Sequence, residues 1–117
     1  TASKGYTFDH WEDASGNTVG SVAAFTPAKN SDKIHFTATY YAVFSENKIP
    51  IYYVANQGGK VALGGETTYA GSKNETVDAV NGTPKGAKAK ANEGYKFKNW
   101  TNEEKTVVYG TNEEFKP

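Results

Sequence analysis

The stretch that decides the fold is GYTFDHW at residues 5–11, because it returns as GYKFKNW at residues 94–100. Four positions are identical in the two copies, in the order Gly-Tyr-x-Phe-x-x-Trp. The offset between the copies is 89 residues. The sequence therefore carries an internal repeat, which indicates a chain assembled from small, similar modules.

The similarity between the copies continues beyond the tryptophan. A polar turn follows each copy, DASGN at residues 13–17 and NEEKT at residues 102–106. Each copy then closes on Phe-x-Pro, at residues 25–27 and at residues 115–117. The second copy has one extra residue before its phenylalanine. An ordered set of rings, glycines and a closing Phe-x-Pro is too specific to be a chance match.

The placement of the copies predicts the domain organisation. Residues 1–47 are interpreted as the back part of one repeat, made of the first hairpin and a long strand over residues 34–44. Residues 48–117 are interpreted as the front and middle of the next repeat, without a second copy of that strand. Three arrangements stay open: residues 1–47 complete residues 48–117 into one domain, a neighbouring molecule supplies the strand, or the strand is dispensable.

Period-2 patterns predict the strands of the first part. Tyr6 and Phe8 share one strand face, but Trp11 departs from the alternation, which predicts a bulge or twist near His10. A hairpin turn is expected at residues 13–17, with Gly16 or Asn17 at positive φ. Small and large residues alternate on one face of the long strand, namely Phe36, Ala38, Tyr40, Ala42 and Phe44, while Thr37, Thr39, Tyr41 and Val43 face the other way.

Turn residues delimit further strands in the second part. Pro50 restricts the strand over residues 49–54 to a strand start or a sheet edge. The other candidates are a short strand at 60–63 between Gly58-Gly59 and Gly64-Gly65, a strand at 66–70, a strand or single helical turn at 75–80, and a strand at 86–91. Ala and Lys alternate strictly over residues 87–91, so a strand is favoured over a helix at residues 86–91.

Composition points to the same fold class. The chain has 14% aromatic residues, with 8 Tyr, 6 Phe and 2 Trp, but Leu63 is its single leucine. Apolar helix faces are usually rich in leucine, whereas Tyr, Thr, Val and Phe favour strands. We therefore predict a mainly β fold of small antiparallel hairpin sheets with at most one short helix.

Several classes of protein are disfavoured by charge and by missing residue types. The 13 basic and 13 acidic side chains balance, so no basic footprint for nucleic acid is present. No apolar run approaches the ~20 residues of a membrane span. The N-terminus has no signal peptide, which suggests a mature chain or a fragment. The absence of Cys excludes disulfides and thiol chemistry, and this composition is typical of an exported protein of a Gram-positive-type bacterium.

The Gly-Tyr-x-Phe-x-x-Trp string, its polar turn and the later TATYYAVF at residues 37–44 resemble the InlB B-repeat group, and more closely its divergent members. The resemblance covers residues 5–44 and 51–117. It implies a small β-grasp-like unit that occurs in tandem in secreted or cell-surface proteins of bacteria, as a spacer or interaction module. It implies neighbouring repeats as partners and supplies no catalytic residue or cofactor. The Gly/Lys/Thr-rich stretch at residues 58–92 departs from the compact members and leaves the topology there open.

The shared rings are interpreted as the structural core of the repeat rather than as a glycan-stacking platform. A buried large ring contributes roughly 2–3 kcal/mol, and a chain with one leucine has few other sources of burial. The expected core residues are Tyr6, Phe8, Trp11, Phe25, Tyr95, Phe97, Trp100 and Phe115.

The polar residues give only weak evidence for a metal, catalytic or phosphate site. His10 and His35 lack a metal-ligand spacing, and Asn99 stands at the position of His10 in the second copy. The acidic residues Asp9, Glu12, Asp13 and Asp32 are candidates for a hydrolase pair, but turn charges explain them better. Asp13, Asn17 and Asp32 are candidates for calcium ligands, but they lack a regular oxygen-ligand spacing. The paired glycines do not form a phosphate loop. We therefore predict no catalytic residue, no metal and no cofactor, and an isopeptide bond between a lysine and an asparagine or aspartate stays open.

The sequence thus favours a non-enzymatic spacer module at the surface or in the wall of a bacterium. The rival is an adhesive module that binds a host protein or glycan through an exposed edge strand or a tyrosine cluster, whose candidates are Tyr40, Tyr41, Tyr52 and Tyr53.

Overall fold

The computed structural model describes all 117 residues and confirms a mainly β chain with ten strands and no helix. It divides into two compact units, residues 1–47 and residues 48–117. The first unit contains β1 (Tyr6–Glu12), β2 (Thr18–Gly20) and β3 (Tyr41–Glu46); the second contains β4 (Lys48–Val54), β5 (Gly59–Leu63), β6 (Ser72–Asp78), β7 (Ala87–Ala91), β8 (Trp100–Thr101), β9 (Val108–Gly110) and β10 (Glu114–Phe115). No helix with the length and apolar character of a membrane span is present.

The first unit is a three-stranded antiparallel sheet in the order β2-β1-β3. The predicted bulge is confirmed, because the register of β1 against β3 shifts between Phe8 and His10. A second shift lies between Trp11 and Glu12, where β1 pairs with β2. The predicted turn at residues 13–17 joins β1 to β2, and Gly16 adopts φ 87° there.

The long strand predicted over residues 34–44 is wrong in its first half. Strand β3 begins only at Tyr41, and residues 34–40 are not in a strand. The reason is the length of its partner: Tyr41 pairs with Glu12, the last residue of β1, and the chain turns away at Asp13. Ile34 and Phe36 are consequently 62% and 53% exposed.

The second unit contains three small antiparallel sheets, in the orders β10-β7-β5, β4-β6 and β8-β9. Strand β4 pairs with β6 alone, so Pro50 sits on an edge strand as its missing N–H requires. The strands predicted at residues 60–63 and 86–91 are observed as β5 and β7, which pair with each other. Residues 75–80 belong largely to a strand, β6, rather than to a helical turn.

The strand predicted over residues 66–70 is absent. Only Ala70 participates in a sheet contact, an isolated antiparallel bridge to Val61 with hydrogen bonds of 2.8 Å in both directions. The segment instead begins with a tight turn in which the Glu66 N–H donates to the Leu63 carbonyl. Residues 66–70 have a strand-like composition, but only Ala70 finds a backbone partner.

The core of the second unit lies around β5. Val61 is 1% exposed, and Tyr53, Leu63 and Ala87 are also buried; Ile51, Ala55, Trp100 and Phe115 pack against this cluster. Three consecutive residues of β5, at positions 61–63, are buried. Strand β5 has β7 on one side and the Ala70 bridge on the other, so both of its edges have backbone partners.

Candidate functional site

The two copies of the sequence motif form two similar aromatic hairpins, residues 5–25 in the first unit and residues 94–115 in the second. In the first, the Trp11 ring stacks on Phe25, with centroids 5.5 Å apart and planes at 25°. Phe8 lies 5.9 Å from Trp11 at 54°. The bulge between Phe8 and His10 explains this contact, because one extra residue brings side chains three positions apart onto the same face.

The second aromatic hairpin repeats this geometry closely. Trp100 stacks on Phe115 at 5.4 Å and 24°, and Phe97 lies 5.8 Å from Trp100 at 52°. The register shift next to the tryptophan recurs between Trp100 and Thr101. The glycines that open the motif also match, with φ 89° at Gly5 and 86° at Gly94.

Each tryptophan holds its hairpin through the indole N–H as well as the ring. The Trp11 Nε1 donates to the carbonyl of Val22 at 3.1 Å, and the Trp100 Nε1 donates to the carbonyl of Asn112 at 2.9 Å. These carbonyls lie on the segment that leads to the stacked phenylalanine. The tryptophan therefore fixes the returning chain by a hydrogen bond and by stacking together.

The polar turns are the third shared element, and their first residue organises them. Asp13 Oδ1 accepts from the backbone N–H of Ser15 and Asn17. Asn102 stands at the equivalent position, and its Oδ1 accepts from the N–H of Thr106 and Val107. Side-chain acceptors of this kind stabilise turns by replacing backbone partners. Hydrogen bonds from the turn lower the pKa of Asp13, and the bond from the Asn17 N–H has the largest effect.

The eight rings expected as core are partly rather than fully covered. Seven of them are half-buried, and none is among the most buried residues of the chain. Tyr95 departs from the expectation, because it is 55% exposed. Sequence reasoning missed Tyr53, Val61, Leu63 and Ala87, which form the buried cluster. Flanking glycines marked the β5 strand, but no local signal distinguished its buried residues.

A glycan-stacking platform needs open ring faces, and each tryptophan already uses one face within its own hairpin. One face of each indole is covered by a phenylalanine, Phe25 or Phe115. Trp100 is further approached by Tyr53 at 6.4 Å in an edge-on arrangement. The shared geometry is thus that of packing inside each hairpin.

His10 and its acidic neighbours form a local ion cluster in the first unit. Its Nε2 lies 2.7 Å from Glu12 Oε2, and its Nδ1 lies 3.2 Å from Asp9 Oδ1. The contact with Glu12, followed by that with Asp9, raises the pKa of His10. Hydrogen bonds from Ser45 and then from His10 lower the pKa of Asp9. Both ring nitrogens are thereby occupied by side chains of the same strand.

The remaining polar candidates stay apart from this cluster. No group of three or more His, Asp or Glu side chains is placed to hold a metal ion. His35 and Asp32 are exposed in the segment between β2 and β3, where the Asp32 N–H donates to Asn30 Oδ1 in a turn. No lysine is buried, so the environment that an isopeptide bond requires is not found.

The glycine pairs have structural roles. A Cβ on Gly64 would lie 2.2 Å from the Lys85 carbonyl oxygen, so only glycine permits this approach of two backbones. Gly58 has φ 108° and lies beneath the Tyr95 ring. These contacts explain the glycines without a phosphate ligand.

A polar network that the sequence did not reveal joins the core of the second unit to the loop before β7. Glu75 accepts from the Tyr53 hydroxyl at 2.8 Å, from the Lys85 N–H at 2.8 Å and from the Gly86 N–H at 3.1 Å. Burial, and then the contact with Glu75, raises the pKa of Tyr53. Burial raises the pKa of Glu75, but the hydrogen bonds it accepts outweigh this effect and lower the pKa overall.

Comparison with known protein families gives a match over most of the second unit. The model of the divergent InlB B-repeat domain matches residues 49–116, which is more than half of the chain. The match spans all of β4 except Lys48, together with β5, β6, β7 and the second aromatic hairpin. Comparison with curated proteins and with solved structures gave no match.

Proposed function

The chain belongs to the divergent InlB B-repeat family, and we propose that it is a non-enzymatic spacer module of a bacterial surface or secreted protein. The family is typical of bacterial surface proteins. The observation that carries the proposal is the recurrence of one aromatic hairpin twice in a single chain, with ring distances that agree within 0.1 Å.

Recurrence of this kind favours a mechanical role over a chemical one. What the hairpins share is what holds them closed: the Trp–Phe stack, the indole hydrogen bond and the capped turn. What they do not share is the chemically reactive part, since Asn99 and Lys98 replace His10 and Asp9. A spacer needs repeated units that keep their shape, and its neighbouring repeats are its partners.

The proposal is tested by measuring length. Chains of one, two and four copies of residues 1–117 are joined head to tail and studied by small-angle X-ray scattering. We expect the maximum dimension to increase by a constant increment per copy. Growth with the cube root of mass, as for a collapsed globule, would refute a spacer. Antibodies to the chain should also label intact cells of the source bacterium, and labelling only after permeabilisation would refute a surface location.

One feature favours adhesion as a second candidate function. The outer face of β4 presents Tyr52 at 68% and Val54 at 70% exposure beside Asn74 of β6. A tyrosine beside an amide is a common contact for proteins and glycans. The tyrosine cluster considered from the sequence is smaller than expected, because Tyr53 is buried and Tyr40 packs on Phe25 at 5.1 Å.

Arrays of glycans and extracellular-matrix proteins separate the two candidates. A ligand bound by the wild-type chain and lost in Tyr52→Ser would favour adhesion over a pure spacer. Tyr109→Ser is the matched control, since Tyr109 is 57% exposed but lies on β9. No reproducible ligand on either array supports the spacer.

A further inference from the structure

The two aromatic hairpins differ at the outer edge of their first strand. In the first unit, β3 pairs with that edge along its length, from Tyr6 opposite Glu46 to Glu12 opposite Tyr41. In the second unit, the equivalent residues 95–101 carry no such strand. Only Trp100 and Thr101 are in a strand there, and they pair with β9 on the other side.

Within this segment, the middle residues 96–99 have no strand partner. Residues 96–99 make no backbone–backbone hydrogen bond. In the first unit the Gly5 carbonyl accepts from the Asn47 N–H at 2.8 Å, whereas the equivalent Gly94 carbonyl has no backbone donor. A row of free N–H and C=O groups in an extended segment is a template for another strand.

The side chains of the second hairpin also lack the aromatic neighbour that β3 provides in the first hairpin. In the first unit, Phe44 of β3 packs edge-on against Phe8 at 5.7 Å and 77°. The equivalent Phe97 has Trp100 as its only ring neighbour. The first hairpin therefore shows what fits on the second: an extended strand with an aromatic side chain opposite Phe97.

We propose that residues 95–101 are a docking edge for an antiparallel strand with the sequence pattern of β3, carried on a segment equivalent to residues 28–47. The register of β1 and β3 assigns the positions of the incoming strand. The counterpart of Phe44 lies opposite Phe97, that of Ala42 opposite Trp100, and that of Tyr41 opposite Thr101. The second hairpin is thereby completed by main-chain hydrogen bonds, as the first hairpin is by β3.

Charge further defines the incoming strand. In the first unit, Asp9 accepts from the Ser45 hydroxyl at 2.8 Å. Lys98 occupies the position of Asp9 in the second hairpin, and Lys96 occupies that of Thr7. Opposite charges across a strand pair are favourable. The preferred strand therefore carries a carboxylate where β3 has Ser45.

The test extends the full chain with a second copy of residues 28–47 after Pro117, because Pro117 corresponds to Pro27 in the repeat. Hydrogen exchange measured by mass spectrometry reports the amides of residues 95–101. We expect the extension to slow their exchange by about tenfold or more. Ser45→Glu in the appended copy should slow it further.

Two changes in the appended copy serve as controls. Val43→Pro prevents strand pairing and Phe44→Ser removes the ring, so both should return exchange at residues 95–101 to the rate of the unextended chain. Slow exchange that survives Val43→Pro would overturn the proposal. So would an unaltered rate in the extended chain, or a dimer of the unextended chain that protects residues 95–101, since a second copy would then be the occupant.

If the extended chain does not fold, a peptide of residues 38–47 titrated into the unextended chain decides the matter. Amide shifts confined to residues 95–101 support strand docking, and their absence at millimolar peptide overturns it. The inference rests on the proposed repeat function but is tested separately. If strand docking fails, the maximum dimension measured by scattering can still increase by a constant increment per copy. If the joined chains collapse, the appended strand can still slow hydrogen exchange at residues 95–101.

Discussion

At the scale of single residues, Glu75 offers the sharpest test of the second unit. Its carboxylate accepts three hydrogen bonds, one from the buried Tyr53 hydroxyl and two from backbone N–H groups. Glu75→Gln turns half of that acceptor into a donor facing other donors. We expect a loss of about 1–3 kcal/mol in the free energy of unfolding, measured by urea denaturation. Glu93→Gln, at an exposed site, is the control and should be neutral.

The same carboxylate makes stability depend on acid. Because the pKa of Glu75 is lowered in the folded state from an ordinary value of 4.5, its contribution is complete above that value. It is lost as the pH falls through the lower folded-state pKa. Urea midpoints between pH 6 and pH 2 should fall less steeply in Glu75→Gln than in the wild type. Parallel curves would show that Glu75 does not titrate differently on folding.

His10 gives the opposite pH dependence in the first unit. Its pKa is raised from 6.5 by Glu12 and then by Asp9, so its stabilising effect is complete below 6.5. The effect is lost as the pH rises through the raised value. Exchange of the β1 amides should therefore be slower at pH 6 than at pH 8.5 after correction for intrinsic rates. His10→Asn, the residue of the second copy, should remove this difference, and its persistence would assign it elsewhere.

At the scale of elements, the pairing of β5 with β7 depends on a glycine that touches the opposite backbone. A Cβ on Gly64 would meet the Lys85 carbonyl oxygen at 2.2 Å, whereas a Cβ on Gly71 meets nothing within 4 Å. Neither glycine has a positive φ. Gly64→Ala should cost about 1–3 kcal/mol through overpacking, and Gly71→Ala should be neutral or slightly stabilising. Equal urea midpoints for the two variants would contradict this account.

The elements also show how far sequence reasoning extends. Turn residues and alternation predicted β4, β5, β7 and both hairpins, because those signals are local. Residues 34–40 and 66–70 have strand-like composition but form no strand, since a strand requires a partner and partners are fixed by distant residues. The Tyr53–Glu75 contact escaped prediction for the same reason, because the two residues meet only after β4 pairs with β6.

At the scale of the whole molecule, the repeat uses one motif in two surroundings. The first hairpin is completed by β3, whose Phe44 covers Phe8. The second hairpin is anchored instead to a buried cluster, because Trp100 and Phe115 pack on Tyr53, Val61, Leu63 and Ala87. Internal comparison could identify the shared hairpin from sequence, but it could not reveal what each copy packs against.

This difference predicts unequal consequences for the same substitution in the two copies. Removing a fully buried tryptophan costs about 3–5 kcal/mol, and both rings are half-buried. Trp11→Ala loses its stack on Phe25, whereas Trp100→Ala also loses contact with the β5 cluster. We expect a loss of about 2 kcal/mol for Trp11→Ala and about 3 kcal/mol for Trp100→Ala. Hydrogen exchange within the mutated unit measures each value.

Trp→Phe variants separate the ring from the indole N–H. Each should retain much of the stack but lose the bond to the carbonyl of Val22 or Asn112, for about 1 kcal/mol in either copy. Suppose that the two Trp→Phe variants lose similar free energies of unfolding, while the two Trp→Ala variants lose unequal ones. That result would establish that the indole hydrogen bond closes both hairpins in the same way, and that the surrounding residues support the two hairpins differently. A larger loss for Trp11→Ala than for Trp100→Ala would mean that β3, rather than the buried cluster, is the stronger support of the repeat.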